Sequence, residues 1–102
     1  MTSQKTVLDF CNKHNINCSV ENRLLDLVSE IGELSKEVLK ASDYGKTAST
    51  TYTQNMQMEL GDVLFSLVCV ANAMNIDMDQ ALALALRKYE KRFAERAKIS
   101  SE

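Results

Sequence analysis

From Val63 to Ile76 the sequence reads V-L-F-S-L-V-C-V-A-N-A-M-N-I, a run with no charge at all. It is too short to cross a bilayer, and Asp62 closes its upstream end. The run therefore predicts a helix buried on most of its sides. One small domain has little material with which to cover such a helix, so part of its surface is expected in a subunit interface of a homo-oligomer.

The rest of the chain agrees with an all-α fold. Its 102 residues suit one domain spanning 1–102. Six aromatics, three glycines and no proline are poor material for the turns of a sandwich or barrel, and the abundance of Ala, Leu, Glu and Lys favours helix. A first helix is expected from about Ser3 to His14, with Val7, Leu8, Cys11 and Phe10 as its inward candidates, and N-I-N-C-S breaks it. Ser19 is a suitable N-cap for a second helix running through Leu24, Leu25, Val28 and Ile31 to about Ala41. S-D-Y-G ends it, and Gly45 can take the left-handed backbone that helix exits favour. Ser42 to Thr53 has no apolar period and reads as a loop, with Tyr44 and Tyr52 able either to pack it down or to cover a ligand. The third helix should run from Thr53 or Gln54 to Met74. Asp77 and Gln80 have capping-box spacing for a fourth, Met78 to about Lys98.

Composition narrows the chemistry. A net charge of -2 and an isoelectric point near 5.4 provide no overall attraction for a nucleic-acid polymer or an anionic membrane, so an anionic ligand must be bound locally. The amino terminus lacks the apolar run of a secretion signal, and a cytoplasmic protein is expected. Cys11, Cys18 and Cys69 are odd in number and lack C-x-x-C spacing, which suits small buried hydrophobes rather than disulfides or a zinc knuckle. His14 is the only histidine, too few for a Ser-His-Asp site or a Glu-x-x-His di-iron bundle.

What remains is carboxylates. In S-E-I-G-E-L-S-K-E, Glu30, Glu33 and Glu37 fall within about 60° of one another on an ideal helix, with Asp26 on the same arc. This acidic stripe borders the apolar face of Leu27, Ile31, Leu34 and Val38. Like charges one turn apart repel, and Lys36 and Lys40 lie too far round the helix to offset them well. Glu59 and Asp62 repeat the spacing where the third helix turns from polar to apolar, one turn before Ser66. If the second and third helices pack antiparallel, Glu30, Glu33, Glu59 and Asp62 converge as an all-oxygen cluster. Hard oxygen donors without His or Cys suit Mg²⁺, with Mn²⁺ as a substitute. Such cages commonly meet phosphate chains, and the fourth helix offers Arg87, Lys88, Lys91 and Arg92, of which Lys88 and Arg92 face the same way. Each element taken alone is compatible with a solvated helix face, and only the combination points to chemistry.

The order L-V-S-E-I-G-E-L, E-L-G-D-V-L-F and R-K-Y-E-K-R-F resembles the MazG-like nucleotide pyrophosphohydrolases of the all-α NTP pyrophosphatase superfamily, over about residues 20–96. The resemblance implies a four-helix MazG-like bundle completed by oligomerisation, as a dimer or tetramer. It also implies Glu30, Glu33, Glu59 and Asp62 as Mg²⁺ ligands, Glu30 or Glu33 as the base that takes a proton from water, and Lys88 and Arg92 as phosphate contacts. The implied reaction is hydrolysis of a (deoxy)nucleoside triphosphate to the monophosphate and pyrophosphate, in nucleotide-pool house-cleaning, with the base among apolar groups such as Phe10, Phe65 and the loop tyrosines. Ser29 and Leu86 depart from the family pattern, where a glutamate and an asparagine are usual. Two other classes of function remain open on the residues alone: a non-catalytic helical oligomerisation or interaction module, and a cation-binding protein without turnover.

Overall fold

A computed structural model describes residues 2–17, 19–47 and 52–101, with side chains through residue 98. Four helices follow one another: α1 (Thr2–Lys13), α2 (Val20–Ala41), α3 (Gln54–Ala73) and α4 (Met78–Ser101), with no strand among the described residues. The start signals act as their chemistry requires. Ser19 Oγ accepts from the Asn22 N–H, and Thr53 Oγ1 from the Met56 N–H, at 3.2 Å each. Asp77 Oδ1 accepts from the N–H groups of Asp79 and Gln80 at 2.8 and 3.2 Å. Each cap satisfies a donor that the first helical turn leaves open.

The exits are less uniform than the single glycine suggested. Helices α1 and α3 both close with an asparagine in the left-handed region, Asn15 and Asn75, each at φ 55°. The following N–H then reaches back to a helix carbonyl, Ile16 to Cys11 and Ile76 to Ala71, at 2.9 Å each. Asparagine tolerates this backbone because its short amide adds little crowding. After α2, Gly45 is left-handed as anticipated, but Asp43 and Tyr44 are left-handed as well. The expected loop continues through residues 48–51, which lie outside the described residues, as does Cys18.

Helices α2 and α3 form the main packed pair, and their pairing is antiparallel. Leu34 and Val38 share a groove with Met56 and Leu60, Glu30 meets Glu59 and Asp62, and Arg23 borders a cavity with Cys69 and Asn72. Helix α1 lies across the far end of α3, where Cys11 and Cys69 bury their thiols 4.0 Å apart. Ser66, Val68, Cys69, Val70 and Ala71 are buried in α3, with Val68 at 0% exposure. The charge-free helix is covered only in part by its own chain, as its length and the small size of the domain led one to expect. Leu64, Leu67, Met74 and Ile76 are open to solvent in the single chain, as are Leu24, Leu25, Val28 and Ile31 on α2. Helices α1 and α2 cover one side of α3, and α4 does not close over the rest.

That fourth helix leaves α3 at 99° and buries none of its described side chains. The elbow is held by Gln4. Its Nε2 donates to Asn72 Oδ1 (3.2 Å) and to the Ile76 carbonyl (2.7 Å), while its Oε1 accepts from the Met78 N–H (2.8 Å). Asn72 Nδ2 returns a bond to the Gln4 carbonyl at 3.0 Å. No single helix among the described residues is long and apolar enough to cross a membrane.

Candidate functional site

The antiparallel pairing brings together three of the four anticipated carboxylates. One ligand oxygen from each of Glu30, Glu59 and Asp62 lies within 4.8 Å of the others, with both glutamates half-buried and Asp62 exposed. Glu33 is exposed and stands outside this close group, although its charge still reaches it. The Glu59 carboxyl is pushed above its ordinary value first by partial burial, then by the negative charges of Asp62, Glu30, Glu33 and Glu37. Glu37 is partly relieved by Lys40, whose Nζ is 3.9 Å from its Oε1, nearer than the helix wheel indicated. Among the described residues no Lys or Arg forms an ion pair with Glu30, Glu33, Glu59 or Asp62.

Convergent carboxylates without a protein cation are electrostatically unfavourable, and hard oxygen donors of this kind fit a divalent hard cation. The donor set holds no sulfur or imidazole to draw zinc. Ser66, one turn on from Asp62 along α3, is buried. Ser29, where the family pattern has a further acid, is exposed.

The anticipated phosphate contacts lie elsewhere in the single chain. Lys88 and Arg92 do share a face of α4, on either side of Tyr89. The Lys88 Nζ lies 5.0 Å and the Arg92 Cζ 5.8 Å from the centroid of its ring, within the range of cation–π attraction. Sequence reading missed Tyr89 as the residue that gathers them. With α3 and α4 at 99°, helix rise alone places these cations roughly 20 Å from the acids of the same chain.

The aromatic candidates for holding a base are also redistributed. Phe10 and Phe65 pack edge to face, with centroids 6.0 Å apart, and Phe10 also lies against His14. Tyr44 and Tyr52 are both exposed. Tyr52 borders the apolar groove of Leu34, Val38, Met56 and Leu60.

Comparison with known proteins agrees with this arrangement. Residues 19–96 match the MazG nucleotide pyrophosphohydrolase domain. Over 70 residues, 69% of this chain, the sequence is 36% identical to the protein YpjD of Bacillus subtilis (strain 168), and that stretch spans 63% of the relative's length. Two crystal structures share the architecture. One is of a Bacillus-conserved MazG protein, a nucleotide pyrophosphohydrolase, with a TM-score of 0.71 and 31% identity, covering 86% of this chain and 85% of that one. The other is of Bacillus subtilis YpjD, with a TM-score of 0.70 and 31% identity, covering 87% and 90%.

Proposed function

Because the chain belongs to the MazG nucleotide pyrophosphohydrolase family, we propose that it is a Mg²⁺-dependent cytoplasmic enzyme that hydrolyses (deoxy)nucleoside triphosphates to monophosphates and pyrophosphate, in nucleotide-pool house-cleaning. The observation that carries this reading is the meeting of Glu30, Glu59 and Asp62 at the α2–α3 interface with no protein cation among them. Glu30, Glu33, Glu59 and Asp62 would hold Mg²⁺, or Mn²⁺ in its place. When bound, the ion supplies positive charge for the phosphate oxygens and for the leaving pyrophosphate.

The chain's own residues do the rest. Glu30 or Glu33 accepts the proton of the water whose oxygen attacks the α-phosphorus, as the bond from that phosphorus to the bridging oxygen breaks. Lys88 and Arg92 bind the phosphate chain through charge-assisted hydrogen bonds. Their distance from the acids of their own chain is consistent with a homo-oligomer, dimer or tetramer, in which the α4 of a second copy faces the acidic group. The uncovered apolar faces of α2, α3 and α4 supply the surface for such an assembly.

Isothermal titration with Mg²⁺ and a non-hydrolysable triphosphate separates this reading from the others. The enzyme takes up both, a cation-binding protein takes only the metal, and an interaction module, which the uncovered apolar faces also favour, takes neither. A panel of deoxy- and ribonucleoside triphosphates assayed for pyrophosphate release then identifies the substrate.

A further inference from the structure

Two turns of α2 before Glu30, on the same face, stands Arg23. Seven residues advance a helix by about 10 Å and return to nearly the same angle. Over that distance the local charge reverses. Arg23 is only 8% exposed and borders a cavity of about 160 Å³ where the end of α1, the start of α2 and the second half of α3 meet. Cys11, Asn12, Asn17 and Cys69 stand around it, and among the described residues no carboxylate does.

Among the described residues the Arg23 side chain makes no ion pair and no hydrogen bond. No fully enclosed side-chain nitrogen lacks a partner, so its guanidinium nitrogens remain accessible from the cavity. A charge held this deep without a partner is costly. Its position sharpens the cost, because Arg23 lies just inside the positive end of a 22-residue helix, where a cation is unfavourable and an anion is favoured. The guanidinium offers a planar fork of N–H donors matched to paired oxygens. The carboxamides of Asn12 and Asn17 add neutral donors at the wall.

From this geometry we infer that the cavity at the α1–α2–α3 junction is a subsite for a small oxyanion bound by Arg23. The ligand chemistry is two or three oxygens sharing a negative charge, which a free phosphate or a small carboxylate can supply. It is separate from the acidic group, two turns away and opposite in sign, and does not depend on nucleotide hydrolysis.

The test uses the isotope-labelled full chain with neither divalent metal nor nucleotide present. Inorganic phosphate and, separately, acetate are titrated while the Arg23 Nε–Hε signal and the Asn12 and Asn17 side-chain amides are followed by NMR. Saturable shifts at these groups are expected, abolished in Arg23→Met and weakened several-fold in Arg23→Lys. Saturation by phosphate alone identifies a phosphate site, and saturation by acetate alone a carboxylate site. Shifts that never saturate, that persist in Arg23→Met, or that centre on Lys88 and Arg92 overturn the inference. So does the absence of any response, which is also the result expected if an acidic side chain of a second copy already pairs with Arg23. Replacing a buried charge by methionine is commonly tolerated. Should circular dichroism show Arg23→Met unfolded, the lysine variant decides: unchanged affinity there refutes a guanidinium site.

Discussion

The acidic and the basic groups of this chain are built in opposite ways. The acids sit on α2 and α3, held against each other by a packed interface, where partial burial and then the neighbouring negative charges raise the Glu59 carboxyl above its ordinary value. The cations sit on α4, which leaves the elbow alone and gathers Lys88 and Arg92 only around its own Tyr89. A carboxylate group that must converge needs two rigid elements, because each like charge opposes the arrangement. Cations that must reach a ligand need only one helix face and freedom to approach.

That contrast can be broken or sharpened by experiment, beginning with the acids. Glu59→Gln should reduce pyrophosphate release more than about 100-fold, since even groups that merely support a metal ligand cost 10–100-fold when lost. Far-UV circular dichroism should not change. Turnover equal to the parent protein would remove the acidic group from the chemistry. For the cations, Lys88→Ala and Arg92→Ala should each lower kcat/KM by about 10–100-fold, the loss of one charged hydrogen bond. Steady-state kinetics that leave both variants unaltered would make α4 plain surface.

Stability should divide along the same line. Val68→Ala, at a fully buried position of α3, should cost about 1–3 kcal/mol in urea unfolding at any protein concentration. Leu84→Ala on α4, where the side chain is 61% exposed in the single chain, should cost under about 0.5 kcal/mol in dilute solution. A cost for Leu84→Ala that grows with protein concentration would show α4 covered in an assembly.

The smallest effect is on pH. Glu59 keeps its proton to a higher pH folded than unfolded, where its value is 4.5. In the window just above that value the metal-free folded state holds more protons, so this contribution to stability is present below it and lost as pH rises through the folded pKa. Melting curves of the chelator-treated protein should show the decline, and Glu59→Gln should flatten it. Metal affinity should run the other way, weakening as pH falls, because a ligating carboxylate must shed its proton.

The sequence announced the helices and the acids because those signals are local. Ser19, Thr53 and Asp77 act within one turn of themselves, and E-x-x-E and E-x-x-D each fix a spacing on one helix. The partners of an extended surface are not local. The lack of charge in α3 indicated that some of its surface would stay uncovered in one chain, but nothing in it revealed which side, nor that α4 would carry Lys88 and Arg92 away from the acids. Arg23, Gln4 and Asn72 were invisible for a related reason: each matters through residues brought near it only by the fold, and a single amide or guanidinium leaves no pattern in the chain. Glu33 illustrates the limit from the other direction. Its helical angle was right, but the angle does not determine how far a side chain stands from the neighbouring helix.

The Gln4 clamp ties the first turn of α1 to the Ile76 carbonyl, just before α4, and to that helix's first amide, Met78 N–H. The amino-terminal turn therefore acts as a strut that sets the direction in which a distant arm points. Replacing Gln4 alone would leave every acidic and basic side chain in place, yet free the arm to swing, and with it any surface the arm presents to a second copy.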